Sequence, residues 1–457
     1  MNRILTMLRS VEALTPKRYI LTIFCAALFM RLAVVFTVGQ LYGLDMYEPY
    51  IISQNIINGH GFAMHWPYES FDAARYQFMQ TQPPPYVTTF MPPLVPYFYS
   101  GYFMLFGVGT GALQALLMIQ AVIGSLLPLL LFGATRSAFG ESAGRWAGII
   151  CVLYLPVAMT AVTLSGAALY APMFVGVVWS AVRVYKRFDT LGFILLGVTS
   201  GLLSLLRSEF YYIFFVLVAA IILAWGRKYP AAARIRAIAF CCMAFALATG
   251  WWTVRNYREF GRFIPVTGHP WREIWRGYNP YSSGSGTGAN HFKIWENKVE
   301  FAHITRALDS IDYDAHFEGH ADKIYKREVI GYVQAQPGSA LWLAFKKVVM
   351  LWTIDVYYEK ARHPLYVIPS LAVFALCSAG LYYLLRRKEY RALWPLWGAL
   401  FVCYTGVFVL TYVLPRYQSF IYPAFFPLAG YACAVWLSSN GKHPANTAES
   451  TISTDDA

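Results

Sequence analysis

Asp45 is the residue of this sequence best placed to do chemistry. It stands about seven residues beyond the first long apolar stretch, in Gly43-Leu44-Asp45-Met46-Tyr47-Glu48. A carboxylate there lies near the headgroup boundary of a bilayer, where a lipid-linked substrate presents its polar head. It can take the proton of an attacking hydroxyl as a general base. The competing reading is structural: Asp45 precedes a predicted helix, whose first N–H groups its oxygens can cap. Glu48 carries the same two readings, weighted to the structural one because acids suit the first turn of a helix.

Three arginines form the second set. Arg207, Arg255 and Arg416 each stand at the outer edge of an apolar stretch, where the usual charge bias of membrane proteins does not want them. A guanidinium fork binds phosphate with two parallel bonds, so three of them facing the compartment of Asp45 can hold a lipid phosphate as a leaving group. Each also has a local explanation: a pair with Glu209 for Arg207, headgroup anchoring for Arg255 and helix capping for Arg416. Asn256 and Tyr417, next to two of these arginines, join the candidate donor-binding set. Arg31 falls inside the first apolar stretch, where a charge is a functional candidate and a buried or snorkelled side chain is the alternative. His60, His65 and His269 show no metal-ligand spacing with Cys, Asp or Glu, so no metal site is expected and no cofactor is firmly implied; a divalent metal stays open.

The elements that position these residues are membrane helices. The chain has 457 residues, 57% hydrophobic and only 13% charged, against roughly a quarter charged in soluble domains. Ten stretches approach the ~20 residues needed to cross a bilayer: 19–38, 111–135, 146–161, 166–182, 191–206, 210–225, 237–254, 365–385, 394–413 and 420–437. The expected fold is therefore an all-α integral membrane protein of about ten to twelve transmembrane helices. The first stretch follows a basic segment, 1–18, without a small-residue cleavage site, and reads as a retained helix. The seven cysteines all fall in apolar stretches, which argues against a disulfide framework or zinc site.

The net charge of +13 would suit nucleic acid, but its distribution does not. The short loops 136–145, 183–189, 227–236 and 386–391 hold thirteen Lys/Arg against three Asp/Glu. This bias puts them in the cytoplasm with both termini, and no nucleic-acid partner is expected. The outer side then holds segment 39–91, the tips near Ser165 and Arg207, segment 255–340 and the turn Pro415-Arg416-Tyr417. The expected organisation is a module 19–254 that includes the first outer segment, the large outer segment 255–340, a C-terminal part 341–437 and a disordered cytoplasmic tail 438–457. Two shorter apolar stretches, 92–106 and 341–352, read as interfacial or partly inserted helices. Lys346 and Lys347 support a surface helix with its lysines in water. A short helix is expected over 49–58, ended by Gly59, another over 315–334, and a flexible polar stretch over 282–288.

Four local motifs in this order resemble the polytopic GT-C glycosyltransferases, in particular the bacterial branch related to protein O-mannosyltransferases and the aminoarabinose transferases of lipid A. They are Asp45-Met-Tyr-Glu48-Pro-Tyr50 leading to Gly59-His-Gly61-Phe62; Met91-Pro92-Pro93-Leu94; Arg255-Asn256-Tyr257 with Phe260-Gly261; and Pro415-Arg416-Tyr417 with Pro423. The resemblance implies a GT-C-like fold in the inner (cytoplasmic) membrane of a bacterium. It also implies an inverting, metal-light transfer from a polyprenyl-phosphate sugar to an envelope glycan, lipid or protein acceptor on the extracytoplasmic face. Asp45 would be the base and arginines would hold the phosphate. The chain departs from the family pattern at the tip Thr163-Leu-Ser165, which has no acid, and at Met91, where some members carry lysine. The rival readings are a lipid-linked substrate transporter or flippase, which calls for ionisable residues at mid-membrane on several helices, and a polysaccharide ligase or polymerase.

Overall fold

The computed structural model describes residues 10–38, 48–64, 85–286, 301–312 and 314–439. Asp45, His65, Thr287, Gly288 and the tail from 440 lie outside them. In chain order the first elements are α1 (Pro16–Thr37), α2 (Glu48–Ile57), the two-residue strands β1 (Ala63–Met64) and β2 (Tyr86–Val87), and α3 (Leu94–Phe106). There follow α4 (Thr110–Ser125), α5 (Leu127–Phe139), α6 (Glu141–Leu153), α7 (Leu155–Ala158), α8 (Ala167–Arg187), α9 (Thr190–Leu206), α10 (Glu209–Trp225) and α11 (Ala231–Phe260). The polar segment after α11 holds α12 (Pro270–Gly277), α13 (Ala302–Asp309) and α14 (Phe317–Ala335); α15 (Pro337–Trp352), α16 (Pro364–Arg386), α17 (Trp394–Leu410), α18 (Pro415–Ile421) and α19 (Phe426–Ser439) complete the chain.

All ten expected stretches are helical. Among the described residues seven helices are long and apolar enough to cross a membrane, and nine if each of two bent pairs counts as one span. The bends have local causes. Pro156 follows Tyr154, whose backbone leaves the helical region, and the chain turns by 69° there. Around Pro423 the pair α18–α19 bends by 61°. The remaining stretch, 191–206, is α9, with 17 residues, about 25 Å at the usual rise. Asp189 caps it, its Oδ1 accepting from Gly192 N at 2.8 Å. The chain is a multi-pass, all-α membrane protein.

Lipid offers little hydrophobic drive between spans, so close backbone approach must hold them. The α9–α11 contact shows this: a Cβ on Gly197 would lie 2.9 Å from Ala244 Cβ, and one on Gly201 2.6 Å from Ala248 Cβ. Arg31 is buried rather than snorkelled, lying against α4 where Gly124 leaves room; a Cβ there would be 2.7 Å from Arg31 Nε.

Outside the spans, α2 ends as expected at Gly59, which takes a φ of +83°. β1 and β2 pair antiparallel, Ala63 opposite Val87. Three expectations are corrected. Lys347 is fully buried instead of solvated: its Nζ donates to Val409 O at 3.0 Å and lies 3.4 Å from the Tyr278 ring centroid. The carbonyl end of α17 and the face of an aromatic ring replace its water. α15 thus runs along α17, with Trp352 stacked on Phe401 at 4.7 Å and bonded to Thr405 at 2.9 Å. Second, the described part of the 282–288 stretch is pinned, not flexible. Gly286 N donates to Val413 O at 2.7 Å, Val413 N to Gly284 O at 3.0 Å, and Ser285 Oγ to Asp355 Oδ2 at 2.5 Å. Third, the helix expected over 341–352 starts earlier, at Pro337, because proline suits a first helical position, while α14 ends at Ala335, before that proline, as expected.

Candidate functional site

A cavity of about 870 Å³ opens at one end of the helix bundle. All five segments expected on the outer side contribute to its wall: Glu48 and Met91 from the first, Ser165, Arg207, the stretch from Arg262 to Arg276, and Thr411 to Tyr417. Residues far apart in sequence meet here because the hairpins of the bundle turn at the same end. Among the described lining residues five arginines (Arg207, Arg262, Arg272, Arg276, Arg416) face three glutamates (Glu48, Glu209, Glu273). The wall is cationic and suits an anionic ligand.

Arg207 sits in the two-residue break between α9 and α10. Its Nε donates to Glu209 Oε1 at 2.8 Å, so the local pair forms. Its guanidinium also lies over Phe420 at 4.7 Å, Tyr417 at 5.1 Å and Tyr170 at 5.7 Å. Burial would ease its proton off, but Glu209, then Tyr417 and Tyr170, outweigh this and raise its pKa above the ordinary value. Tyr417 thus packs its ring against Arg207 while lining the cavity itself.

The second cationic group comes from α12. Its polar face carries Arg272, Glu273 and Arg276, while Trp271, Ile274 and Trp275 turn toward α13 and α14. Arg272 donates to Glu273 Oε1 at 3.0 Å, and Arg276 to Glu273 Oε2 at 3.3 Å and to Tyr412 Oη at 2.9 Å. Burial pushes the Glu273 carboxyl up, but Arg276 and Arg272 together hold it at about 2. Two guanidiniums thus share one carboxylate on the cavity wall. Arg276 lies 4.3 Å from the Tyr412 centroid, and Tyr412 is 6.2 Å from Tyr417. The row Arg276–Tyr412–Tyr417–Arg207 links the two cationic groups across the cavity.

Of the sequence candidates, Glu48, Arg207, Arg416 and Tyr417 line this cavity. Arg255 and Asn256 are not in its wall. Arg255 donates to Thr88 O at 3.1 Å, Phe62 O at 3.2 Å and Asn256 Oδ1 at 3.1 Å. Asn256 is fully buried and donates to Ile264 O and Val266 O. Both fasten the outer segments to the end of α11. Asp45 is outside the described residues. Sequence reasoning missed Arg272, Glu273 and Arg276. Their signal is a five-residue amphipathic pattern, with polar residues at i, i+1 and i+4 between apolar ones, embedded in a segment read as a long loop.

No family model and no curated relative matches the sequence. Solved structures do. The oligosaccharyltransferase of Archaeoglobus fulgidus in its apo form superposes with a TM-score of 0.54 at 14% identity, over 93% of this chain and 51% of that one. The same enzyme, AglB, in complex with an inhibitory peptide and a dolichol-phosphate gives 0.53 at 16% identity, over 93% of this chain and 51% of that one. ArnT of Cupriavidus metallidurans bound to undecaprenyl phosphate reaches only 0.37 at 14% identity, over 87% and 77% of the two chains, too slight to build on. The chain spans about half the length of the oligosaccharyltransferase it matches. At this identity the likeness shows that this chain shares the fold of that part of the oligosaccharyltransferase. The oligosaccharyltransferase has also been solved with zinc and sulfate. Among the described residues of this chain no three His, Cys, Asp or Glu side chains converge on a point. The described residues alone do not fit a metal.

Proposed function

We propose that this chain is a membrane glycosyltransferase that moves a hexosyl- or pentosyl-type sugar from a polyprenyl-phosphate donor to an envelope glycan, lipid or protein acceptor. The observation that carries the reading is the arginine-rich cavity, built from all five expected outer segments at one end of a GT-C fold. A lipid phosphate is anionic and lies at the depth where spans end. Forked guanidiniums bind it and stabilise the charge that grows as the sugar–phosphate bond breaks. Arg207 and Arg276, each oriented by a carboxylate and a tyrosine, are the residues assigned to that task, with Arg272 and Arg416 beside them. The AglB complex with a dolichol-phosphate supports the donor class.

Asp45 is the proposed base. It removes the proton from the acceptor hydroxyl as that oxygen attacks the anomeric carbon from the face opposite the phosphate, so configuration inverts. Glu48, on the cavity wall three residues later, is the secondary acid. The proposed active side is extracytoplasmic, a reading supported by the basic loops at the other ends of the hairpins, and the bacterial inner membrane is what the family resemblance implies. The test is binding of undecaprenyl phosphate to the purified protein. Binding that weakens about tenfold or more in Arg207→Ala and Arg276→Ala supports the reading, since each removes charge-assisted bonds. Undiminished binding in both variants sinks it. Vectorial movement of the lipid without sugar transfer would favour a flippase.

A further inference from the structure

Behind the cavity wall, one carboxylate joins both outer segments. Glu318, in the first turn of α14, is 5% exposed. It accepts from the Thr88 hydroxyl, from Thr89 N at 3.0 Å and from Thr89 Oγ1 at 3.0 Å. Its Oε2 also lies 3.3 Å from His269 Nδ1. Thr88 and Thr89 directly precede Phe90 and Met91, which line the cavity; His269 lines it too and is the residue before α12. Phe90 stacks on His269 at 5.0 Å and 11°, and Arg272 lies 5.5 Å from the Phe90 centroid. One turn along α14, Asp322 Oδ1 accepts from Trp271 N at 2.8 Å. Between them stands Gly319, where a Cβ would come within 2.9 Å of the Arg262 guanidinium.

Burying a carboxylate is expensive, and an apolar side chain of similar size would pack the same gap at no such cost. What the carboxylate adds is direction at Thr88 and Thr89, whose donors it fixes, and charge at His269, which it holds at ion-pair distance. We propose that Glu318 is a positioning residue. It clasps Thr88–Thr89 to His269 so that α12 presents Arg272 and Arg276 to the donor phosphate. The donor part rests on the glycosyltransferase reading of the cavity; the clasp does not.

The experiment is amide hydrogen exchange on the full-length protein in nanodiscs, comparing wild type with Glu318→Gln, alongside transfer of labelled sugar from undecaprenyl-phosphate donors. The clasp predicts that exchange quickens together in 86–91 and 269–277, by about tenfold or more, while α9 and α11 keep their protection. It predicts that donor KM rises more than kcat falls, and that Glu318→Asp recovers part of the loss. If Glu318→Gln does not fold, Thr88→Val takes its place and must loosen 86–91 more than 269–277. Unchanged exchange in either segment, or loosening confined to α14, overturns the clasp. Coupled loosening in a protein whose wild type transfers no sugar keeps the clasp and removes the donor from it.

Discussion

At the residue scale, the cavity arginines derive their geometry from their partners. Lysine in place of Arg276 keeps the charge but loses the planar guanidinium whose Nη1 donates to both Glu273 and Tyr412 and whose face lies on the Tyr412 ring. The expected effect of Arg276→Lys is a donor KM raised roughly ten- to a hundredfold, as for a lost charge-assisted bond, read from initial rates. The clasp also sets a pH dependence. Burial lowers the His269 pKa, but Glu318, with Asp322 and Glu273, outweighs it and raises the value above the ordinary 6.5. That contribution is full below 6.5 and is lost as pH rises through the raised value. Burial raises the Glu318 pKa, but His269 and the Thr88 and Thr89 bonds bring it below the ordinary 4.5. That contribution is full above 4.5 and is lost as pH falls through the lowered value. The melting-temperature gap between wild type and Glu318→Gln should be widest between 4.5 and 6.5 and shrink on either side; a pH-independent gap would contradict the ion pair.

At the element scale, apolar length and basic loops made the spans legible in the sequence, and Gly59 made the end of α2 legible. The interior of the outer segments was not. Lys347 reads as a surface charge because nothing local reveals that the carbonyl end of α17 and the Tyr278 ring will meet it. Arg255 reads as a phosphate ligand because its backbone partners, Phe62 and Thr88, lie far away in sequence. Two substitutions test the packing. Gly201→Val forces a branched side chain into Ala248 and should cost about 1–3 kcal/mol, seen as a lower melting temperature. Ser285→Val strips Asp355 of its hydroxyl partner and should cost about the same, ~1–3 kcal/mol; an unchanged melting temperature would mean the 282–286 strap is not a structural tie.

At the scale of the whole molecule, the bundle turns its hairpins so that five polar segments share one cavity. The sequence pointed to four of the lining residues, Glu48, Arg207, Arg416 and Tyr417, because chemistry-bearing types stood at the ends of spans. It did not point to α12, whose place over the cavity depends on α14 and α17. The proposed reaction is sugar transfer from a lipid phosphate with Asp45 as base. Its most direct test is transfer of labelled sugar from polyprenyl-phosphate donors in membranes holding wild type or Asp45→Asn at equal amounts. Wild type should transfer sugar, and the variant should fall by about a hundredfold or more, the range expected for a general base. Equal transfer by both would contradict it, taking Asp45 out of the chemistry and leaving it the helix-capping role.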